Sequence, residues 1–167
     1  RKYFDEEVES NVIPILLHDN VPLPYLREKS LYLGIAMRRK DWQYTTKFAI
    51  IEVPAKSNGR FVILPTENND ETDIMLLEDV IAFNLPHIFS YFGYDEFKAN
   101  AFKVTKDAEF DLDNDIRTSY AEKIEKGIKS RRKGKPTRFV FDKDMDKSLV
   151  EFLIKKLDLS KKDSIIP

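Results

Sequence analysis

Strict alternation marks Ser30–Arg38: Leu31, Leu33, Ile35 and Met37 point one way, and Tyr32, Gly34, Ala36 and Arg38 the other. This is the strand period, so the segment predicts a strand with its apolar face on a core. Lys47–Val53 reads as a second strand, ended by Pro54. Asn58-Gly59 is a hairpin-turn signal, and Arg60–Leu64 reads as the returning partner. The period changes over Leu77–Phe92, where Leu77, Ile81, Leu85, Ile88 and Phe92 recur at helical spacing. That pattern predicts a helix, kinked or split in two at Pro86.

Further along, Ala101–Val104 and Ala108–Leu112 read as strands, and Asp115–Arg132 as a helix through Ile116, Tyr120, Ile124 and Ile128. Arg138–Phe141 is a short strand, and Asp146–Leu157 a capped amphipathic helix with Leu149, Phe152, Leu153 and Leu157 on its apolar side. Near the start, Lys2–Val8 reads as helical, while Pro14, Pro22 and Pro24 keep the next stretch extended. Thr66–Asp73 is a polar loop. Hairpin-like groups of strands interrupted by helices predict an α+β fold, a two-layer domain with helices packed on one face of a mixed, mainly antiparallel sheet.

Composition bounds this picture without changing it. The 167 residues suit one domain spanning 1–167, with 1–11 as the end of a preceding helix, and 12 phenylalanines supply ample core. The absence of cysteine excludes disulfides, Cys-based zinc sites and a thiol nucleophile, and fits a reducing compartment. No run is apolar enough to span a membrane, because Glu78, Asp79, Asn84, Pro86 and His87 interrupt the most apolar stretch. The chain opens at Arg1 inside a helical pattern and stops at Ile165-Ile166-Pro167, giving the expectation of an internal domain of a larger protein.

The net charge of −1 hides an uneven distribution. Nine bases and two acids fall between Arg117 and Arg138, among them Arg131, Arg132, Lys133 and Lys135 around a Gly-Pro loop. Such a segment is either a solvated helix face with cations at the negative dipole end, or a track for a polyanion. Just before it, Asp107, Glu109, Asp111, Asp113 and Asp115 alternate. They imitate a calcium loop, but Ile116 stands where such a loop needs glycine. Gly127–Thr137 lacks the spacing of a phosphate-binding loop, and Pro136 follows Lys135 where Ser or Thr is required. The two histidines, His18 and His87, have no recognisable nucleophile or metal partner, and a hydrogen-bonded core role is the expectation for His87.

An ordered set of segments carries a resemblance. Tyr3-Phe4-Asp5-Glu6-Glu7, Pro14-Ile15-Leu16, Pro22-Leu23-Pro24-Tyr25, Leu76-Leu77-Glu78-Asp79-Val80-Ile81 with Asn84-Leu85, Phe102–Glu109, and Arg131–Phe139 together resemble the middle, or head, domain of the long-chain polyphosphate kinases. Lys106 and Phe139 stand where many members carry Arg and Leu, which leaves charge and hydrophobicity intact. The resemblance implies a four-domain parent that transfers the ATP γ-phosphate to polyphosphate through a phosphohistidine, with Mg²⁺. It places the catalytic histidines and most nucleotide contacts in C-terminal domains, so no catalytic residue, metal or cofactor is expected within 1–167. It further implies dimer contacts, tunnel walls and a cytoplasmic enzyme, any membrane association coming through the parent. Lys106, Arg131, Arg132, Lys133 and Arg138 are the candidate polyphosphate-binding residues.

Two other classes remain. A nucleic-acid-binding module is favoured by the basic segment and opposed by the overall charge and the lack of an aromatic motif beside it. An architectural domain would use Phe83, Phe89, Tyr91, Phe92 and Tyr94 as an oligomer surface.

Overall fold

The computed structural model describes residues 1–64, 72–106, 136–160 and 163–167, leaving aside the side chains of 42–44. The predicted strand Ala108–Leu112, the helix Asp115–Arg132, the acidic run and most of the basic segment lie outside the described residues, as does most of the polar loop.

Eight strands are described: β1 (Pro14–Leu17), β2 (Tyr32–Arg39), β3 (Trp42–Glu52), β4 (Phe61–Leu64), β5 (Asp73–Leu76), β6 (Glu96–Lys106), β7 (Pro136–Phe141) and β8 (Ser164–Ile166). Six of them form one sheet in the order β1-β3-β2-β6-β7-β8, and β4 pairs with β5 in a second, two-stranded sheet. Every pair in the large sheet is antiparallel except β7 with β8. The helices are α1 (Ala55–Asn58), α2 (Leu77–Phe83), α3 (Leu85–Ile88) and α4 (Lys147–Lys156). A wide helical turn over Phe4–Val8 and a 3-10 turn over Glu9–Asn11 open the chain.

The α+β class and the mixed, mainly antiparallel sheet are as the pattern predicts. On one face, Leu33, Ile35 and Met37 of β2 join Ala49 and Ile51 of β3 beneath Phe4, Val8, Leu77, Ile81 and Phe89. The structure adds a helix on the other face. There α4 lays Leu149 and Leu153 over Tyr32, Ile50, Phe102 and Phe139. The physical reason lies in β2, which is buried from Tyr32 through Met37 on both faces and needs cover on each. Gly34 admits the close approach, since a Cβ there would lie 3.1 Å from Leu149 Cδ2 and 3.3 Å from Met145 Cε. Asp146 caps α4, its Oδ1 accepting from the Ser148 and Leu149 amides at 3.0 and 3.3 Å.

One local expectation is overturned. Asn58-Gly59 does not turn β3 back onto Arg60–Leu64. β3 already has β1 on one edge and β2 on the other, Ile50 lying opposite both Ile15 and Gly34, so no edge is left for a third partner. Instead Pro54 leads into α1, which ends at Gly59 with φ 73°, a left-handed value that glycine takes without strain. β4 then pairs with β5. The predicted split of the Leu77–Phe92 helix does occur: α2 ends at Phe83, and α3 restarts at Leu85 with Pro86 in its first turn.

Candidate functional site

Two of the five predicted binding residues fall within the described residues. β6 and β7 set them in register, Thr105 opposite Arg138 and Val104 opposite Phe139. Phe102, Val104 and Phe139 face the α4 core, so alternation sends Lys103 and Arg138 to the other face. Arg138 is exposed there. Lys106 turns elsewhere: its Nζ sits 4.0 Å from the ring centroid of Tyr25, in the segment whose Leu23 and Leu26 pack on the α4 core. Burial pulls the Lys106 ammonium below the ordinary lysine value, with Glu28 pulling the other way. The fold therefore does not bring Lys106 and Arg138 to one face. Arg131, Arg132 and Lys133 lie outside the described residues.

A second group of cations, not singled out in the sequence, gathers at the end of the large sheet. A cleft of about 480 Å³ opens where β1, β2 and β3 meet the Pro24–Leu31 segment and α1. Arg27, Lys29, Lys56, Arg60 and Lys103 line it, with Glu52. Arg27 Nη1 donates to both Glu52 carboxylate oxygens at 3.1 and 3.3 Å, and the Ser30 hydroxyl donates to Oε1 at 2.6 Å. Arg60 donates through Nε and Nη2 to Glu78 Oε1, a carboxylate buried beneath it. These two arginines thus have their charges matched, whereas Lys29, Lys56 and Lys103 make no ion pair among the described residues. Sequence reading misses this group because its members are single bases scattered over several elements, with no local run to betray them.

Among the described residues, neither histidine has catalytic surroundings. His18 is exposed at the end of β1. His87 is hydrogen-bonded as expected, but it is half-buried rather than in the core, and its partners are surface groups. Arg1 Nη2 lies 3.1 Å from His87 Nδ1, and a guanidinium can only donate, so the ring proton belongs on Nε2, which donates to Glu9 Oε1 at 3.1 Å. Asp5, Glu9 and His87 form the one group among the described residues whose donor atoms could hold a metal. It does not suit Mg²⁺, which prefers an all-oxygen octahedron, and Arg1 already bridges His87 and Asp5. Of the aromatic residues read as a surface, Phe89 is core and stacks on Phe97, while Phe83, Tyr91 and Phe92 are exposed. No helix among the described residues is long and apolar enough to cross a membrane.

The comparisons agree with this architecture. The family described as the polyphosphate kinase middle domain matches residues 1–167. The chain is 35% identical to the polyphosphate kinase of Vibrio cholerae over 170 residues, covering all of this chain and 24% of that protein. Against the polyphosphate kinase of Escherichia coli K12 the figures are again 35% over 170 residues, with 24% of the relative covered. The crystal structure of polyphosphate kinase from Porphyromonas gingivalis superposes with a TM-score of 0.74 at 25% identity, over 99% of this chain and 22% of that one. The chain thus spans about a quarter of the length of the curated relatives it matches. With the whole of its length matched and the fold reproduced, the chain belongs to the polyphosphate kinase family, as its middle domain.

Proposed function

We propose that residues 1–167 act as one non-catalytic domain of an enzyme that moves the ATP γ-phosphate onto inorganic polyphosphate through a phosphohistidine. The match of the entire chain to the middle domain carries this reading. Mg²⁺ and ATP would serve the parent at histidines outside this chain, where the metal neutralises phosphate charge during transfer. The role of the domain is to supply dimer contacts and tunnel walls, with Arg131, Arg132, Lys133 and Arg138 holding or steering the polyanion and Lys106 meeting it separately, from its place over the Tyr25 ring. Arginine forks and lysine ammonium groups suit phosphate oxygens without any base readout. A cytoplasmic setting goes with this activity.

The chain incubated alone with γ-labelled ATP, Mg²⁺ and polyphosphate is expected to form no new polyphosphate and no alkali-stable phosphohistidine. Label on His18 or His87 would refute the non-catalytic assignment. For the binding role, Arg131→Ala with Arg132→Ala is expected to weaken polyphosphate binding and to flatten its dependence on salt. Unchanged affinity across a salt series would remove those residues from the track, and a shift in sedimentation would assign them to a dimer contact instead.

A further inference from the structure

We propose that Asn58 is a modification site: its side-chain amide converts to aspartate and isoaspartate without an enzyme, and the change unlocks the Phe4–Asn11 segment from α1. Asn58-Gly59 carries a turn signal that the fold does not spend on a hairpin, and it stands apart in a second way. Of the eight asparagines it alone precedes glycine; the others precede Val, Asn, Asp, Leu or Ala. An asparagine side chain can close a ring on the backbone nitrogen of the next residue. A Cβ on that residue crowds the closure, and glycine has none.

The geometry leaves the attacking atom available. α1 is a single turn, held by the Ser57 and Asn58 amides, which donate to Pro54 O at 3.1 Å each. Past its end, the Gly59 N–H has no acceptor among the described residues. Gly59 is exposed and takes φ 73°. One isolated turn opens far more readily than the sheet beside it, and opening lets the Asn58 side chain swing towards that nitrogen. The reaction then balances with water alone. The Gly59 nitrogen gives its proton to solvent and adds to Asn58 Cγ. The Cγ–Nδ2 bond breaks, and the nitrogen takes a proton from water and leaves as ammonia. A five-membered succinimide remains. Water opening it at Cγ gives aspartate; water opening it at the Asn58 backbone carbonyl gives isoaspartate, with the chain running through Cγ. Either product adds one negative charge to the net −1.

The change has a structural consequence because both ends of the amide are in use. Asn58 Nδ2 donates to the Glu7 carbonyl, and Oδ1 accepts from Asn11 Nδ2 at 3.2 Å. These bonds cross from α1 to the turns over Phe4–Val8 and Glu9–Asn11, which set Phe4 and Val8 into the core. A carboxylate has no N–H, so it turns an acceptor towards the Glu7 carbonyl and keeps only the Asn11 bond. Isoaspartate goes further. It lengthens the backbone by a methylene close to Arg60, whose carbonyl accepts from the Leu77 amide at 2.8 Å.

The test is incubation of the folded chain at neutral and mildly alkaline pH, followed by proteolysis and mass spectrometry of the peptide holding Asn58-Gly59. Asn58 is expected to convert about tenfold faster than any other asparagine, because only its neighbour lacks a Cβ. The rate should rise with pH, since the attacking nitrogen must lose a proton. Isoaspartate should accompany aspartate, because direct hydrolysis of the amide gives aspartate alone. Gly59→Ala should slow the conversion about tenfold. Its added Cβ would meet no atom within 4 Å, so the change acts on the fold only through φ. Asn58→Asp reads the second half: it should speed hydrogen exchange several-fold at the Val12 amide, which donates to Glu9 O at 3.1 Å, and leave the β2 amides unchanged. No step here uses polyphosphate or ATP, so failure would leave the function proposed above untouched. Conversion no faster than at other asparagines, aspartate without isoaspartate, or an undiminished rate in Gly59→Ala overturns the site. Unchanged exchange in Asn58→Asp overturns the release of the Phe4–Asn11 segment.

Discussion

Gly34 and Leu149 offer a quantitative test of how the second face of the sheet is packed. Leu149 is fully buried on α4, and its removal takes away a core side chain at a site walled by Phe102, Phe139 and Tyr32. Leu149→Ala is expected to cost about 3 kcal/mol, the sum of lost transfer free energy and the cavity left behind. Gly34→Ala acts in the opposite sense. Its new Cβ would sit 3.1 Å from Leu149 Cδ2, so the leucine or the helix must move. Overpacking of that order costs roughly 1–3 kcal/mol. Replacing a strand glycine returns about 0.5–1 kcal/mol of backbone entropy, leaving a net loss of about 1 kcal/mol.

The two changes should not add. In the double variant the added methyl enters the space Leu149 vacates, so its clash with the leucine disappears, only the approach to the flexible end of Met145 remains, and part of the cavity is filled. The loss is expected to be about 2.5 kcal/mol, against about 4 kcal/mol for the sum of the single changes. Urea denaturation followed by circular dichroism measures all four corners of the cycle, and equal m values confirm that the same transition is compared. Additivity within about 0.5 kcal/mol would refute the claim that Gly34 is where α4 approaches the sheet.

Further expectations follow from single contacts. Asp146 caps α4 and also accepts from Arg38 Nη2 at 2.7 Å through Oδ2, so Asp146→Ala should cost about 2 kcal/mol in a urea titration. Asp146→Asn, which keeps an acceptor for the cap, should cost less than half of that. Tyr32 Oη accepts from the Arg27 amide at 2.7 Å, so Tyr32→Phe should lose about 1 kcal/mol at neutral pH. Burial raises the Tyr32 phenol above its ordinary value of 10.0, against the lowering effect of the Arg27 amide. The unfolded chain therefore releases that proton first, and Tyr32 contributes stability below pH 10.0 that is lost as pH rises towards its folded value. Thermal melts of Tyr32→Phe should accordingly depend less on pH above that point than those of the parent.

Much of the fold could be read from periodicity because the relevant forces are local or nearly so. The alternation of Leu33, Ile35 and Met37 does face a core, and the helical spacing of Leu77, Ile81 and Leu85 does cover it. Asp146 and Pro86 act where their chemistry predicts. The second covered face was legible in principle from Tyr32, Gly34 and Ala36, a set too apolar and too small for a solvent-facing row. What alternation cannot express is competition for partners. Asn58-Gly59 has the chemistry of a hairpin, but whether it makes one depends on β1, a segment more than thirty residues away that takes the edge of β3 the hairpin would need. A turn signal states a local preference, and strand pairing is decided by who else reaches the edge.

The same distinction governs the candidate sites. A charge run is visible in sequence because its members are neighbours, and it drew attention to Arg131, Arg132, Lys133 and Arg138. Lys106 belongs to that set through the family resemblance, while its Nζ lies over the Tyr25 ring and the β6–β7 register shifts between Thr105 and Lys106. Conversely, Lys103 falls within a family segment, and nothing in the local sequence singles out Lys29 or Lys56. What marks them out is absent from the sequence: they line one cleft, and the acid that lines it with them is already engaged by Arg27. A cation matters to a ligand only to the extent that the protein has left it uncompensated.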